Sequence, residues 1–408
     1  MFHLLEHLNK NHKTTENVVE DLMTNFGVNV KNENDLYLFK YGIISSDWTK
    51  EITRECRGTI MKHEGSSWKC MSRPWSKFFN QHEGHCPIFE EKAFNKFLPN
   101  SVLREKADGT CIQLWHDDEK WRISTLGTIT THNVGDTDMT FDELFLKTAF
   151  RIFFDELKKD LTYLFELCAE ENRIVTKYLV DHVILLGARD RDSGEYISEY
   201  ELDYEINYGA FREGNIRVTQ SIHLFELNIK TLEDVKAFIE SESNSDKYGK
   251  YPEGFVLYDK NNFHPIAKMK NARYMSLHHV GGGDIKHSMN QIIDAIFLGH
   301  IDDVYDVLSD RLKRFADDVK HKAALLENEA QHAISHLKKM QFDSRKTFAL
   351  EVNKIVDKKI RGFFFQNANK FLNGEDIEGL ETWFKSCYNK FDWKNDILES
   401  VDREDKNI

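Results

Sequence analysis

Lys106, Asp108 and Gly109 stand together in a Lys-Ala-Asp-Gly sequence, between Arg104-Glu105 and an apolar alternating run from Cys111 to Trp115. A lysine, a carboxylate two residues on and then a glycine form a compact device for holding an amine against a phosphate. Asp108 can accept a hydrogen bond from a sugar hydroxyl or orient the amine, and Gly109 permits backbone torsions that a side chain forbids. A lysine amine titrates near ~10.4 in water, so it attacks at neutral pH only where its proton is loosened, as nearby cations can do. These residue types make Lys106 a candidate covalent nucleophile towards a nucleotide. Taken alone, the tetrapeptide reads more readily as a surface turn that Asp-Gly makes before a strand.

Other charges sharpen the reading. Ile266-Ala267-Lys268-Met269-Lys270 has the pattern of a strand, and period two puts Lys268 and Lys270 on one face. Two like charges there repel unless a polyanion lies between them. Arg57 precedes Gly58 at the start of an apolar β-branched run and can lay a guanidinium on a phosphate, or simply pair with Glu55. In Ser72-Arg73-Pro74-Trp75-Ser76-Lys77-Phe78-Phe79-Asn80, Pro74 disfavours a helix. Lys77 could then reach a phosphate and Phe79 stack on a base, although Phe78 and Phe79 are equally core residues. Glu166 lies inside the apolar run Tyr163–Cys168, which is costly unless it meets a cation or a metal; an edge strand facing water is the plainer explanation. Pro252-Glu253-Gly254 again opens an apolar strand with a carboxylate and a glycine. The His278-His279 pair and Gly281 to Gly283 read as a flexible loop, with neither metal nor dinucleotide spacing.

The elements that must position these groups are legible in outline. Residues 1–35 read as helix and then loop. Leu36–Tyr41 reads as a strand, Phe141–Leu161 as a helix, Tyr163–Cys168, Ile174–Tyr178 and Val183–Leu186 as strands, and Leu232–Ile239 as a short helix. From Lys106 to Phe255 the texture is mostly β with two helical interruptions. Beyond Met289, apolar residues recur at helical spacing between charges. The 408 residues therefore divide into two domains, 1–284 and 285–408, in an α+β architecture: antiparallel sheets with flanking helices, then an all-α domain. A net charge of −13 excludes a generally basic nucleic-acid-coating surface, but not a local basic cleft. None of the six cysteines forms a C-x-x-C pair, and there is neither a signal-peptide core nor a membrane span, so a reducing cytoplasm is expected.

Read together, Arg-Gly, Lys-x-Asp-Gly, a strand Glu, Glu-Gly and Lys-x-Lys follow in the order found in covalent nucleotidyltransferases. More narrowly, Glu55–Gly58, Ser72–Asn80, Lys106–Gly109, Asn172–Val175, Gly194–Ser198, Glu253–Val256 and Lys268–His278 make the chain resemble the phage ATP-dependent RNA ligase 1 family, the tRNA-repair ligase of T-even phages. The likeness covers residues 36–303 well and is weak beyond.

That resemblance implies a nucleotidyltransferase (ATP-grasp-like ligase) domain. In it, Lys106 takes AMP from ATP as a phosphoramide, and Asp108 and Gly109 complete the loop. Arg57 and Lys77 would bind phosphates, Phe79 would pack on adenine, Tyr274 would lie near the base and Tyr41 would line the site. Lys268 and Lys270 would neutralise the transferring phosphate. Glu166 would contact nucleotide or metal, with Glu253 and Asp302 completing a Mg²⁺ site that Mn²⁺ could also fill. The implied partners are RNA with 5′-phosphate and 3′-hydroxyl ends, cleaved tRNA among them, and a polynucleotide kinase/phosphatase acting on the same ends. The implied location is a host cytoplasm if the chain is phage-encoded. One departure is plain: relatives carry a basic residue before the glycine of the following motif, where this chain has Leu126-Gly127, so either that role is dispensable here or a neighbour such as Arg122 covers it. The alternatives are a DNA ligase or capping-type enzyme, and a non-catalytic RNA-binding or assembly protein on the same fold.

Overall fold

The computed structural model describes residues 2–10, 15–42, 46–135, 137–174, 176–224, 226–242, 252–271, 274, 289–298, 301, 305, 310–375, 377, 379–380 and 383. By contact the chain forms two compact units. One holds Met1–His12, Val30–Lys40 and Trp48–Asp284; the other holds Lys13–Asn29, Tyr41–Asp47 and Ile285–Ile408.

Fourteen strands are described: β1 (Val28–Glu33), β2 (Leu36–Tyr41), β3 (Arg57–Glu64), β4 (Ser67–Ser72), β5 (Phe79–Asn80), β6 (Ser101–Lys106), β7 (Thr110–His116), β8 (Trp121–Thr125), β9 (Leu161–Cys168), β10 (His182–Asp190), β11 (Ile216–Val218), β12 (Ile222–His223), β13 (Gly254–Asp259) and β14 (Pro265–Lys270). They make three sheets: β1-β2-β3-β4, β11-β10-β9-β7-β8 and β12-β6-β13-β14-β5. Among the described residues the strand pairings are antiparallel except β10 with β11 and β14 with β5.

The third sheet carries most of the functional candidates, and its two faces differ. Leu103, Phe255, Leu257, Ala267 and Met269 share one buried cluster with Phe79. Val102, Val256 and Tyr258 point the other way, into a cluster with Trp75, Phe78 and the second sheet's Tyr163, Leu164 and Phe165. In β14 buried Pro265, Ala267 and Met269 alternate with half-buried Ile266, Lys268 and Lys270. Each fully buried apolar side chain contributes about 1.5–3 kcal/mol, and a one-residue slip would drive both lysines into that core. Hydrophobic patterning thus fixes the register that fixes the lysines.

Several local expectations give way to tertiary contacts. Val28–Glu33 is a strand rather than a loop. The helix expected over Phe141–Leu161 runs only over Phe141–Ala149, opened by a Thr140/Glu143 capping box. It stops at Phe150, whose φ is +66°, and a 3-10 turn at Phe154–Glu156 leads to β9. A third helix, Glu199–Asn207, interrupts the β region; its Ser198/Glu201 capping box was the available signal. Ile174–Tyr178 is not a strand among its described residues, because the Thr176 N–H bonds the Asp108 carboxylate instead. Glu55 does not pair with Arg57: its oxygens accept the His3 and Leu4 N–H groups at the start of the helix His3–Lys10.

The other unit is helical, with Thr15–Phe26, Met289–Leu298, Asp310–Lys338, Arg345–Ile355, Arg361–Gln366 and Ala368–Asn373. Phe315, Val319, Ala323, Leu326 and Ala330 form a helical stripe that packs with Ile292, Ile296, Phe348, Val352 and Phe364.

Candidate active site

Three strands bring the candidate nucleophile to its neighbours. Gly254 lies opposite Lys106 of β6 and opposite Lys270 of β14, so the three positions form one row. Glu253, immediately before that row, reaches both amines. Its Oε2 is 2.6 Å from Lys106 Nζ and its Oε1 is 3.1 Å from Lys270 Nζ. Glu253 keeps only 6% of its side chain exposed, whereas Lys106 keeps 22%, so the amine is the more accessible of the two. Burial raises the Glu253 carboxyl, but the two ammonium groups outweigh it and the net shift is downward.

This arrangement corrects the expectation for Lys106. Burial alone would lower its pKa. Glu253, Glu166 and Asp108 more than reverse that, so the amine is held protonated above its ordinary value. The amine that is pushed down is Lys268, by burial and then by Lys77, Lys270 and Lys106. The cations do gather, but a shared carboxylate stands between two of them and cancels their effect on the nucleophile.

Asp108 also ties its own loop to three remote groups. Its Oδ1 accepts from the Tyr274 hydroxyl at 2.8 Å and its Oδ2 from the Thr176 N–H at 2.6 Å, while its own N–H donates to the Tyr178 hydroxyl at 2.8 Å. Its role here is to pin the loop after β6, and Tyr274, 2% exposed, is part of that pin. Burial, Glu253 and Asp108 push the Tyr274 phenol up, so it stays a donor. Gly109 is not among the positive-φ glycines. A Cβ there would stand 2.2 Å from the Leu167 carbonyl oxygen, so close approach to β9 excludes a side chain.

Around this row sit further charges. Glu166 lies opposite Cys111 and beside Ile184 within the second sheet. Burial, opposed by Lys106 and assisted by Glu253 and Asp108, pushes its carboxyl up to about 8. Arg57 places its guanidinium 5.5 Å from the Phe78 ring centre, and Lys268 Nζ lies 5.4 Å from the same centre. Arg57 Nη1 is buried and has no hydrogen-bond partner among the described residues, which leaves a donor aimed at an anion. Lys77 Nζ stands 5.1 Å from the Trp48 ring centre and 5.4 Å from that of Phe79.

The ring on the site face is Phe78, not Phe79. Phe79 pairs with Ala267 in the parallel register of β5 with β14 and is buried in the cluster on the opposite face, against Trp48 and His85. The structure thus brings together Lys106, Glu253, Lys268, Lys270, Glu166, Arg57, Lys77 and the Asp108–Gly109 loop. Tyr41 is the half-buried end of β2 and falls in the helical unit. Asp302 lies outside the described residues. Arg122 bonds Asp117 and so does not stand in at Leu126. Sequence reading missed Phe78, Thr176 and Tyr178; only the parity of β5 could have pointed to the first.

For a divalent cation the donor set fits in kind. Glu166 and Glu253 both act on Lys106, offering hard oxygen ligands, and Mg²⁺ accepts few carboxylates because it keeps several waters. The neighbouring Cys111 is pushed up to about 12 by burial and Glu166, so it stays a thiol. Among the described residues no group of three or more His, Cys, Asp or Glu side chains could hold an ion.

A lysine amine, a clamping carboxylate and several nearby cations stand on an antiparallel frame, and sequence comparison defines the family. The RNA ligase family matches residues 55–274, more than half of the 408-residue chain, and the chain belongs to that family. It is 34% identical over 221 residues to an RNA ligase of Rhodothermus phage RM378, covering 47% of this chain and 49% of that protein. It is 28% identical over 275 residues to a putative bifunctional polynucleotide kinase/RNA ligase of Autographa californica nuclear polyhedrosis virus, covering 64% of this chain and 36% of that one. The chain thus spans about half the length of the first relative and little over a third of the second. An archaeal ATP-dependent RNA ligase superposes with a TM-score of 0.44 at 10% identity, over 86% of this chain and 88% of that one.

Two outcomes follow from this geometry. Gly109→Ala should lose at least ~2 kcal/mol of stability in urea unfolding, since backbone and not a movable side chain blocks the Cβ; a loss below ~0.5 kcal/mol would contradict the contact. For Glu166, a folded pKa of about 8 against an ordinary 4.5 means that the folded chain binds the extra proton between those values. Its contribution is therefore lost as pH rises through that window. With EDTA and no nucleotide, Glu166→Gln should raise Tm on the order of 5 °C at pH 8.5 and hardly at all at pH 5. A difference that grows towards acid would refute the assignment.

Proposed function

We propose that this chain is an ATP-dependent RNA ligase that joins 5′-phosphate and 3′-hydroxyl RNA ends. The observation that carries the reading is the row Lys106–Gly254–Lys270 closed by Glu253, inside a chain of the RNA ligase family. In the first step Lys106 Nζ attacks the α-phosphorus of ATP. An N–P bond forms, the bond from that phosphorus to the bridging oxygen breaks, and pyrophosphate leaves. In the second step AMP passes to the RNA 5′-phosphate and restores the amine. In the third, the 3′-hydroxyl of another end attacks that phosphate and AMP departs.

The chain's own residues set the terms of step one. Lys106 must part from Glu253 without its proton, and Glu253 Oε2, 2.6 Å away, is the acceptor in reach. Lys268 and Lys270 sit beside the amine to receive the charge that builds on phosphate oxygens, and Arg57 Nη1 is open to another phosphate oxygen. Phe78 walls the site beneath Arg57 and Lys268. Mg²⁺ or Mn²⁺, when bound at Glu166 and Glu253, would offset the carboxylate charge that holds Lys106 protonated.

Finer points rest on the family resemblance. Residues 1–284 would be the adenylyltransferase domain, and residues 285–408, with Asp302, a helical domain conferring RNA or tRNA specificity. Repair of cleaved tRNA in a cytoplasm is the corresponding role. Among the described residues no helix is long and apolar enough to cross a membrane. A kinase/phosphatase would supply the 5′-phosphate and 3′-hydroxyl chemistry at the same ends.

The test incubates the protein with α-labelled ATP or GTP and Mg²⁺, denatures it, and then offers RNA ends or nicked DNA. Label should stay on the wild-type chain from ATP, be absent from Lys106→Ala, and be discharged by RNA. Label persisting on Lys106→Ala would remove the nucleophile, GTP preference or DNA sealing would move the chain to a capping or DNA ligase activity, and no adduct at all would favour a non-catalytic binding protein.

A further inference from the structure

The residues on either side of Lys106 are tied to the second sheet. Ala107 shares a buried cluster with Cys168 of β9 and Ile184 of β10, and Tyr178 packs against it. The Asp108 N–H donates to the Tyr178 hydroxyl at 2.8 Å. On the other side of Lys106, the Glu105 carboxylate meets the Arg217 guanidinium of β11 at 3.2 and 3.3 Å. The Glu105 side chain is 3% exposed, so the cation that reaches it from another sheet meets a buried anion.

His182, the first residue of β10, joins these two arms. Its ring stands edge-on to that of Tyr178, with centres 4.9 Å apart, and its Nε2 lies 3.1 Å from Arg217 Nη2. A guanidinium only donates, so Nε2 accepts and carries no proton. The Nδ1–H then donates to Val180 O at 2.8 Å, a partner that only accepts. Two partners thus fix one neutral tautomer. Burial, and the Arg217 charge with it, hold the imidazole below its ordinary pKa against the opposing pull of Val180 and Asp181. Register explains the meeting. His182 lies opposite Cys168, and Arg217 lies opposite Ile184, two residues on from His182. Period two therefore puts His182 and Arg217 on the face where Cys168 and Ile184 hold Ala107.

We propose that His182 is a positioning residue for the nucleophile: it couples Arg217, which holds Glu105, to Tyr178, which holds Asp108, and so fixes the backbone that carries Lys106. This rests on the ligase reading above. The bracket sets where Lys106 Nζ arrives relative to the α-phosphorus, and misplacing a reacting group by about 1 Å costs on the order of 10²-fold in rate. The effect belongs to the step in which Lys106 forms a bond. When the 3′-hydroxyl attacks adenylylated RNA, Lys106 forms none.

The test uses the full chain as wild type, His182→Leu, His182→Gln and Tyr178→Phe. His182→Leu removes the acceptor for Arg217, whereas in His182→Gln an amide oxygen takes the place of Nε2. Tyr178→Phe keeps the ring against the imidazole and removes the acceptor for the Asp108 N–H. Two reactions are followed: lysyl-AMP formation over a range of ATP concentrations, and sealing of pre-adenylated RNA. His182→Leu and Tyr178→Phe should each slow lysyl-AMP formation at saturating ATP at least about tenfold, with KM for ATP within about twofold. His182→Gln should regain most of the rate, and sealing of pre-adenylated RNA should stay within about threefold throughout. Should His182→Leu fail to fold, judged by its thermal transition, Tyr178→Phe and His182→Gln decide by the same limits. An unchanged rate of lysyl-AMP formation, an equal loss in both reactions, or a His182→Gln rate as low as that of Tyr178→Phe would overturn the assignment. A wild type that forms no lysyl-AMP overturns the ligase reading itself, and this inference with it.

Discussion

One buried carboxylate between two ammonium groups organises the cleft. Glu253 sits at the mouth of β13 and touches both Lys106 and Lys270, residues 147 and 17 positions away in the chain by number. Taking three charges out of water is expensive, and the contact is tolerable only because each amine meets an oxygen at hydrogen-bond distance. Removing the carboxylate alone would leave two cations facing each other. Removing either lysine would leave Glu253 with one partner. The three residues therefore stand or fall as a unit, and their register is set by the apolar residues on the far side of the same sheet.

That unit also sets the protonation of the ligand-free chain. The candidate nucleophile is held protonated, its counter-ion is more buried than it is, and the amine pushed down is its neighbour Lys268. Around them lie a carboxyl that burial keeps protonated near neutrality and a guanidinium with an open donor. The proposed reaction would bring a polyphosphate and a hard cation to these groups.

Much of this was legible in the sequence, and the gaps have physical causes. Lys-x-Lys on a strand and a carboxylate inside an apolar run are local patterns, and period two made both readable. The pairing of Lys106 with Glu253 is a long-range register, which no local spacing encodes. Which of Phe78 and Phe79 faces the cleft depends on the parity of a two-residue strand that pairs parallel with β14. Asp108 read as a group for a sugar hydroxyl or the amine, and its bonds to Thr176 and Tyr274, both remote in sequence, were not legible locally. Phe141–Ala149 ends at a left-handed phenylalanine, a stop signal that residue type does not announce. Arg122 read as a substitute at Leu126 because it is near in sequence, but it bonds Asp117.

The titration of Lys106 itself, followed by NMR of ¹³C- or ¹⁵N-labelled lysine in the nucleotide-free chain, reads the clamp most directly. With Glu253 in place the amine should titrate above its ordinary 10.5, and in Glu253→Gln it should fall below that value as burial and the neighbouring lysines take over. A wild-type value below 10.5, or one that Glu253→Gln leaves unmoved, would contradict the role given to the shared carboxylate.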